Sequence, residues 1–142
     1  MSDQHSDSGQ CLCGAVRIRA GSISNHVGAC HCGMCRRWGG GPLLATNCGS
    51  DVIFDSQEVI TVYDSSEWAE RGFCSRCGSH LFYRLKQSGE YYMPAGLFDS
   101  ADKFTLDHQV FIDRKPGFYQ FANDTDDMTE AEVFARYAPP TE

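Results

Sequence analysis

With 142 residues, the chain fits one domain that has room for a real apolar core. Its 12 Lys and Arg against 19 Asp and Glu give a net charge of -7, which argues against the clustered cationic face that nucleic-acid binding requires. No apolar run approaches the roughly 18 residues needed to cross a bilayer.

Residues 1–9, Met1-Ser-Asp-Gln-His-Ser-Asp-Ser-Gly9, are polar and carry no secretory signal, so they read as a loose end of a cytoplasmic protein in a reducing compartment. Cys11-Leu-Cys13 follows, with Gly14 directly behind it. Val16 and Ile18 then alternate with Arg17 and Arg19, the period of a half-buried strand. Cys30-His31-Cys32-Gly33-Met34-Cys35 places three thiols within six residues. A straight strand cannot aim all three at one point, so the spacing predicts a loop wrapped around an ion. His31, held between two ligands, is expected to point away from that ion. Arg36 and Arg37 come next, and an arginine can grip a carboxylate with two parallel hydrogen bonds. Trp38-Gly39-Gly-Gly41 offers an aromatic wall and a flexible backbone, although glycine runs are equally plain loops. Cys48 stands alone in Thr46-Asn-Cys48-Gly49 and reads as a small buried apolar residue.

Further strands are predicted at residues 59–63, 81–85, 91–93 and 109–112, the last ended by Lys115-Pro-Gly117. Between the first two, Cys74-Ser-Arg-Cys77-Gly78 has the form of a zinc knuckle: two intervening residues allow a tight turn, and the glycine can take a positive φ. Arg76 lies within it as a third candidate cation after Arg36 and Arg37. His108 is either an acid–base group or a satisfied structural histidine. Near the end, Thr129 and Glu132 make a capping-box pattern, Val133, Phe134 and Tyr137 supply an apolar stripe, and Pro139-Pro140 stops the turn. Residues 139–142 read as a second loose end. With no repeat and no linker, residues 1–142 form a single domain, all-β with one short C-terminal helix.

Eight cysteines in a small secreted domain would suggest disulfides, but this chain is long for such a scaffold and lacks an export signal. Metal ligation explains the spacings better. Cys11, Cys13, Cys74 and Cys77 together supply four sulfurs, the donor set of a closed structural zinc site. Cys30, Cys32 and Cys35 supply three, leaving a position for water or substrate unless Cys48 or a histidine closes it. An open zinc can polarise a carbonyl and activate a thiol, chemistry suited to adding a thiol to an aldehyde.

The segments Gly9-Gln-Cys11-Leu-Cys13-Gly14-Ala-Val-Arg17, Cys30-His31-Cys32-Gly-Met-Cys35-Arg36 and Arg71-Gly-Phe73-Cys74-Ser-Arg-Cys77-Gly78-Ser-His-Leu81 resemble the glutathione-dependent formaldehyde-activating enzyme family, which includes centromere protein V. The likeness runs in order from about residue 9 to residue 82, and more weakly through Gly96-Leu-Phe98-Asp99 and His108. It implies a zinc-stapled β-sandwich of coiled strands around two zinc ions. The resemblance assigns Cys11, Cys13, Cys74 and Cys77 to a structural ion and Cys30, Cys32 and Cys35 to a catalytic one. The implied activity is a carbon–sulfur lyase forming S-(hydroxymethyl)glutathione from formaldehyde and glutathione, with Arg36 and Trp38 as candidate substrate contacts. Family members that handle formaldehyde tend to carry a tryptophan after the Lys-Pro region, where this chain has Gly117-Phe118-Tyr119. A non-catalytic zinc module, a glutathione-adduct carrier and an enzyme for a different thiol are the alternatives.

Overall fold

The computed structural model describes residues 3–137. Eleven strands and two α-helices make up its regular structure, in two sheets. The smaller sheet has three antiparallel strands in the order β1-β2-β5, formed by Gln4–Gln10, Arg17–Ser24 and Val52–Phe54. The predicted alternation holds in β2, where Ile18, Ala20 and Ile23 turn inward while Arg17 and Arg19 face out.

Eight strands form the larger sheet: β3 (His26–Cys30), β4 (Leu43–Asn47), β6 (Ile60–Tyr63), β7 (Ala69–Cys74), β8 (His80–Leu85), β9 (Tyr91–Pro94), β10 (Thr105–Val110) and β11 (Asp126–Met128). Their spatial order is β11-β10-β3-β4-β9-β8-β7-β6. The pairs β10–β3 and β10–β11 are parallel and the rest antiparallel. The expected strands at 59–63, 81–85, 91–93 and 109–112 correspond to β6, β8, β9 and the end of β10. The last stops at Val110, and Ile112–Arg114 is instead a 3-10 turn.

The core lies where the two sheets meet. Val16, Ile18, Ala20, Ile23 and Phe54 come from the small sheet and its approach, and Leu81, Phe82 and Met93 from the large one. Phe54, Phe82 and Tyr91 pack edge-on or tilted at 5.0–5.5 Å between ring centroids, the arrangement aromatic quadrupoles favour. Two buried cysteines, Cys11 and Cys74, belong to the same cluster, so one group of sulfurs is embedded in the core itself.

Residues 1–9 require a correction. From Gln4 onward the segment is β1, paired with β2 along its length apart from one irregularity near Asp7. Asp7 also accepts a hydrogen bond from the Ser100 backbone at 2.8 Å, and His5 meets Asn25 at 2.5 Å. The strand is held by its ladder and these polar ties, not by an apolar face.

The C-terminal helix α2 spans Glu130–Tyr137. Its capping box is formed: the Thr129 backbone N–H donates to Glu132 at 2.7 Å, and the Glu132 N–H donates to the Thr129 hydroxyl at 3.2 Å. Phe134 docks edge-on against Trp68 and Phe111. The Pro139-Pro140 stop and the 139–142 tail lie outside the described residues. Replacing Thr129 by alanine is expected to weaken the cap by about 1 kcal/mol. Amide hydrogen exchange in α2 should then speed up roughly fivefold, with β7 and β8 unchanged. Among the described residues, no helix is long and apolar enough to cross a membrane.

Candidate metal and active site

The two cysteine groups expected from the spacing both assemble. The Sγ atoms of Cys11, Cys13, Cys74 and Cys77 lie within 4.8 Å of one another, as do those of Cys30, Cys32 and Cys35. All eight cysteines are free thiols.

In the four-cysteine group, each pair sits on a tight turn. Gly14 N–H donates to the Cys11 carbonyl at 3.1 Å and Gly78 N–H to the Cys74 carbonyl at 2.7 Å. Both glycines adopt a positive φ, +80° and +79°, as the turns demand. Cys11–Cys13 and Cys13–Cys74 have sulfur separations of 3.7 and 3.8 Å. A tetrahedron of zinc–sulfur bonds near 2.3 Å has edges of about 3.8 Å, whereas a disulfide needs about 2.05 Å. The donor set therefore fits a tetrahedral zinc ion. The Val16 N–H points at Cys11 Sγ from 3.3 Å, and the Ser79 hydroxyl lies 3.2 Å from Cys77 Sγ. Ser79, through its hydroxyl and backbone, pulls the Cys77 thiol down to about 5. These donors favour thiolates at Cys11 and Cys77, whereas at Cys13 the Ala15 backbone N–H is outweighed by burial and the neighbouring sulfurs, which push the thiol up to about 11.

The three-cysteine group is built differently from the expected loop. Cys30 ends β3, Cys32 caps a short helix α1 (Gly33–Gly39), and Cys35 lies in its first turn. Cys32 Sγ accepts the Cys35 N–H at 3.3 Å, and Gly40 closes the helix by donating to the Arg36 carbonyl at 2.7 Å. The sulfur acting as a cap is what allows a helix to start inside the cluster. Cys30 and Cys32 are half-buried and Cys35 is buried.

The three thiols of this group compete for ionisation. Hydrogen bonds from Cys30 and Cys35 push the Cys32 thiol strongly down, and Cys30 is correspondingly pushed far up by Cys32, Cys35 and burial. At Cys35 the contact with Cys30 pulls downward, but the Cys32 thiolate and burial outweigh it and the thiol rises. A divalent cation held among the three sulfurs would relieve this competition by favouring all three thiolates. The donor set suits zinc.

His31 does not join them. It is fully buried, with Nε2 donating to Gln109 Oε1 at 2.7 Å and Nδ1 accepting the Tyr119 hydroxyl at 2.7 Å. Gln109 in turn donates to Thr125, which donates to Asp127. The amide oxygen of Gln109 can only accept, and this fixes the direction of the whole chain. Burial holds the imidazole neutral, below its ordinary range. Cys48 is also outside the group. It is fully buried, its thiol pushed up to about 12 by desolvation. Among the described residues, no histidine, carboxylate or further cysteine completes the three-sulfur set.

The expected substrate contacts have other engagements. Arg36 donates from Nε to the His31 carbonyl at 2.9 Å. Trp38 stacks on His80, with centroids 3.9 Å apart and planes 8° from parallel, and also meets the Arg71 guanidinium at 4.9 Å. Arg37 and Arg76 are exposed. His108 is held by Asp107 at 2.8 Å with its ring across Gly28, a position that accounts for it structurally.

Arg71 is the residue that the sequence reading passed over. It is 3% exposed and donates from both terminal nitrogens to Cys35 Sγ, at 3.7 and 3.6 Å. Tyr83, directly opposite on β8, stacks on it at 4.9 Å. Ala69 and Arg71 share the inward face of β7, one alternation apart.

Comparison with known proteins agrees with this architecture. The sequence profile of the family described as glutathione-dependent formaldehyde-activating enzyme matches residues 6–114. A Schizosaccharomyces pombe protein named as an uncharacterized lyase is 37% identical over 126 residues, covering 88% of this chain and 92% of its own. A Halomonas elongata protein, provisionally named a glutathione-dependent formaldehyde-activating enzyme, is 35% identical over 85 residues, 52% of this chain and 53% of its own. The crystal structure of a Rhodobacter sphaeroides protein superimposes with a TM-score of 0.57 at 26% identity, covering 70% of this chain and 96% of its own. The profile spans well over half of the sequence and includes both cysteine groups, so the chain belongs to the glutathione-dependent formaldehyde-activating enzyme family.

Proposed function

We propose that this protein is a zinc-dependent carbon–sulfur lyase acting on adducts of glutathione with an aldehyde, formaldehyde being the aldehyde in the family's name. The observation that carries the reading is the three-cysteine group, for which the described residues supply no fourth ligand. Cys30, Cys32 and Cys35 would hold the catalytic zinc, and Cys11, Cys13, Cys74 and Cys77 the structural one. When bound at the first group, zinc supplies Lewis acidity and stabilises a thiolate at neutral pH.

In the reaction, the glutathione sulfur forms a bond to the aldehyde carbon. The carbonyl π pair moves onto oxygen, and the proton released by the thiol ends there. The reverse breaks the same carbon–sulfur bond. Glutathione carries two carboxylates, so an acidic protein needs local cations to receive it. Arg36, oriented by its Nε bond to the His31 carbonyl, is placed by this reading to use its terminal nitrogens on one carboxylate. Trp38 serves the site through its packing on Arg71 and His80. The His31–Gln109–Thr125 chain keeps the Cys30–Cys32 backbone fixed while the sulfurs do the binding. Eight free thiols suit a reducing cytoplasmic setting, and the partners are a small thiol and an aldehyde, not nucleic acid or membrane.

Thiol–aldehyde addition also proceeds unaided in water, so the test is kinetic. Exchange between free formaldehyde and its glutathione adduct, followed by magnetisation-transfer NMR, should accelerate in proportion to protein concentration. If adduct binds but exchange stays at the uncatalysed rate, the protein is a carrier and the lyase reading is lost.

A further inference from the structure

A buried guanidinium ordinarily sits beside a carboxylate, because an uncompensated charge in the interior costs several kcal/mol. Arg71 is 3% exposed, and no carboxylate forms an ion pair with it among the described residues. Its two terminal nitrogens converge on a single atom, Cys35 Sγ. Its faces meet aromatic rings, Trp38 and Tyr83, each 4.9 Å from the guanidinium carbon, and Trp38 is backed by the parallel His80 ring. Nε is buried without a partner. This arrangement orients the cation rigidly and leaves sulfur as its counter-charge.

Among the described residues, no guanidinium donates to the sulfurs of the four-cysteine group. Its sulfurs receive donors from Val16 N–H and the Ser79 hydroxyl. Four thiolates around a divalent cation carry two net negative charges, and a closed site of that kind attracts no further anion. Three thiolates around the same cation carry one net negative charge, which the Arg71 guanidinium cancels. A neutral centre accepts an anionic fourth ligand far more readily than one already negative.

We propose that Arg71 is a positioning residue that balances the charge of the three-thiolate centre, and thereby adapts it to take a thiolate as its fourth ligand. The proposal rests on the reading above that Cys30, Cys32 and Cys35 hold a metal, and it assigns the selectivity for an anionic sulfur to one residue outside the ligand set. Contact with Cys35 also draws electron density from that sulfur, which keeps a ligand thiolate from competing with the substrate thiol for the aldehyde.

The test uses purified full-length protein, Arg71→Met, which keeps the length of the stem without the charge, and Arg71→Lys, which keeps the charge without the planar fork. Metal is titrated against a chromophoric chelator, and cobalt(II) is used as a spectroscopic stand-in for zinc. In Arg71→Met the second metal equivalent should weaken roughly tenfold or more, the loss expected for a charge-assisted hydrogen-bond pair, while the first stays unchanged. The sulfur-to-cobalt charge-transfer band should shift, and the preference of the cobalt form for glutathione over neutral imidazole should fall by a similar factor. Arg71→Lys should recover most of the affinity with a band intermediate in position.

A folded Arg71→Met protein with wild-type second-site affinity, band and ligand preference would overturn the proposal alone. If that variant does not fold, the four-cysteine equivalent is lost with it and Arg71→Gln, polar but uncharged, decides: wild-type second-site affinity, band and ligand preference in that variant would overturn the proposal. A wild-type protein that takes up only one equivalent would instead overturn the metal reading beneath it, and the proposal too.

Discussion

Cys32→Ser is expected to fold as the wild type does, to bind one metal equivalent in place of two, and to lose adduct-exchange activity entirely. Cys32 caps α1 by accepting the Cys35 N–H, and serine is among the best residues for that task. The hydroxyl therefore preserves the local backbone while removing a soft sulfur donor that zinc requires. His31 cannot rescue the site, because both of its ring nitrogens are committed to Gln109 and Tyr119. Metal content by atomic emission, circular dichroism and NMR exchange measured on one preparation check all three points. Retention of both metal equivalents would remove Cys32 from the ligand set.

Cys77→Ser is expected to do the reverse, stripping the chain of its fold. With a metal ion bound, the four-cysteine group would tie the turn between β1 and β2 to the turn between β7 and β8, and so fasten the small sheet to the large one. Cys11 and Cys74 are buried at 1% and 0% exposure within the core that the sheets share. A structural zinc contributes on the order of 10 kcal/mol, comparable with the whole stability of a domain this size. The variant should therefore appear mainly as insoluble protein, and a strong chelator should unfold the wild type to a similar state. A soluble Cys77→Ser protein with a wild-type melting transition would contradict the structural role.

Legibility differed between the parts of the molecule for reasons of distance along the chain. Cysteine spacing carried both clusters, because ligands on one turn are close in sequence and only the pairing of turns is remote. Period-two alternation carried β2, where buried and open positions alternate, and β6, β8 and β9 were legible as short runs rich in β-branched and aromatic residues. Alternation could not carry β3, whose consecutive Val27, Gly28 and Ala29 are all buried and leave no open face to alternate with. Nor could it carry β1, whose residues are polar and whose strand exists through pairing with β2 and the Asp7–Ser100 tie. The helix α1 was missed because a cysteine is not an ordinary cap. Arg71 was not legible, because no strand was expected over 69–74 and its partners lie on α1 and β8, so only the folded chain brings Cys35 and Tyr83 to it. The His31 hydrogen bonds span 78 and 88 residues, a separation that no local pattern encodes.

The central claim is the inequality of the two sulfur sets, and X-ray absorption at the zinc edge measures it most directly. Protein loaded with two equivalents of zinc and free of added thiol should give about 3.5 sulfurs per zinc, the mean of four and three, together with a shell of oxygen or nitrogen near 2.0 Å. Glutathione should raise the sulfur count towards four and diminish the lighter shell. Four sulfurs per zinc before any thiol is added, with no lighter shell, would show both ions caged by the protein and contradict the account.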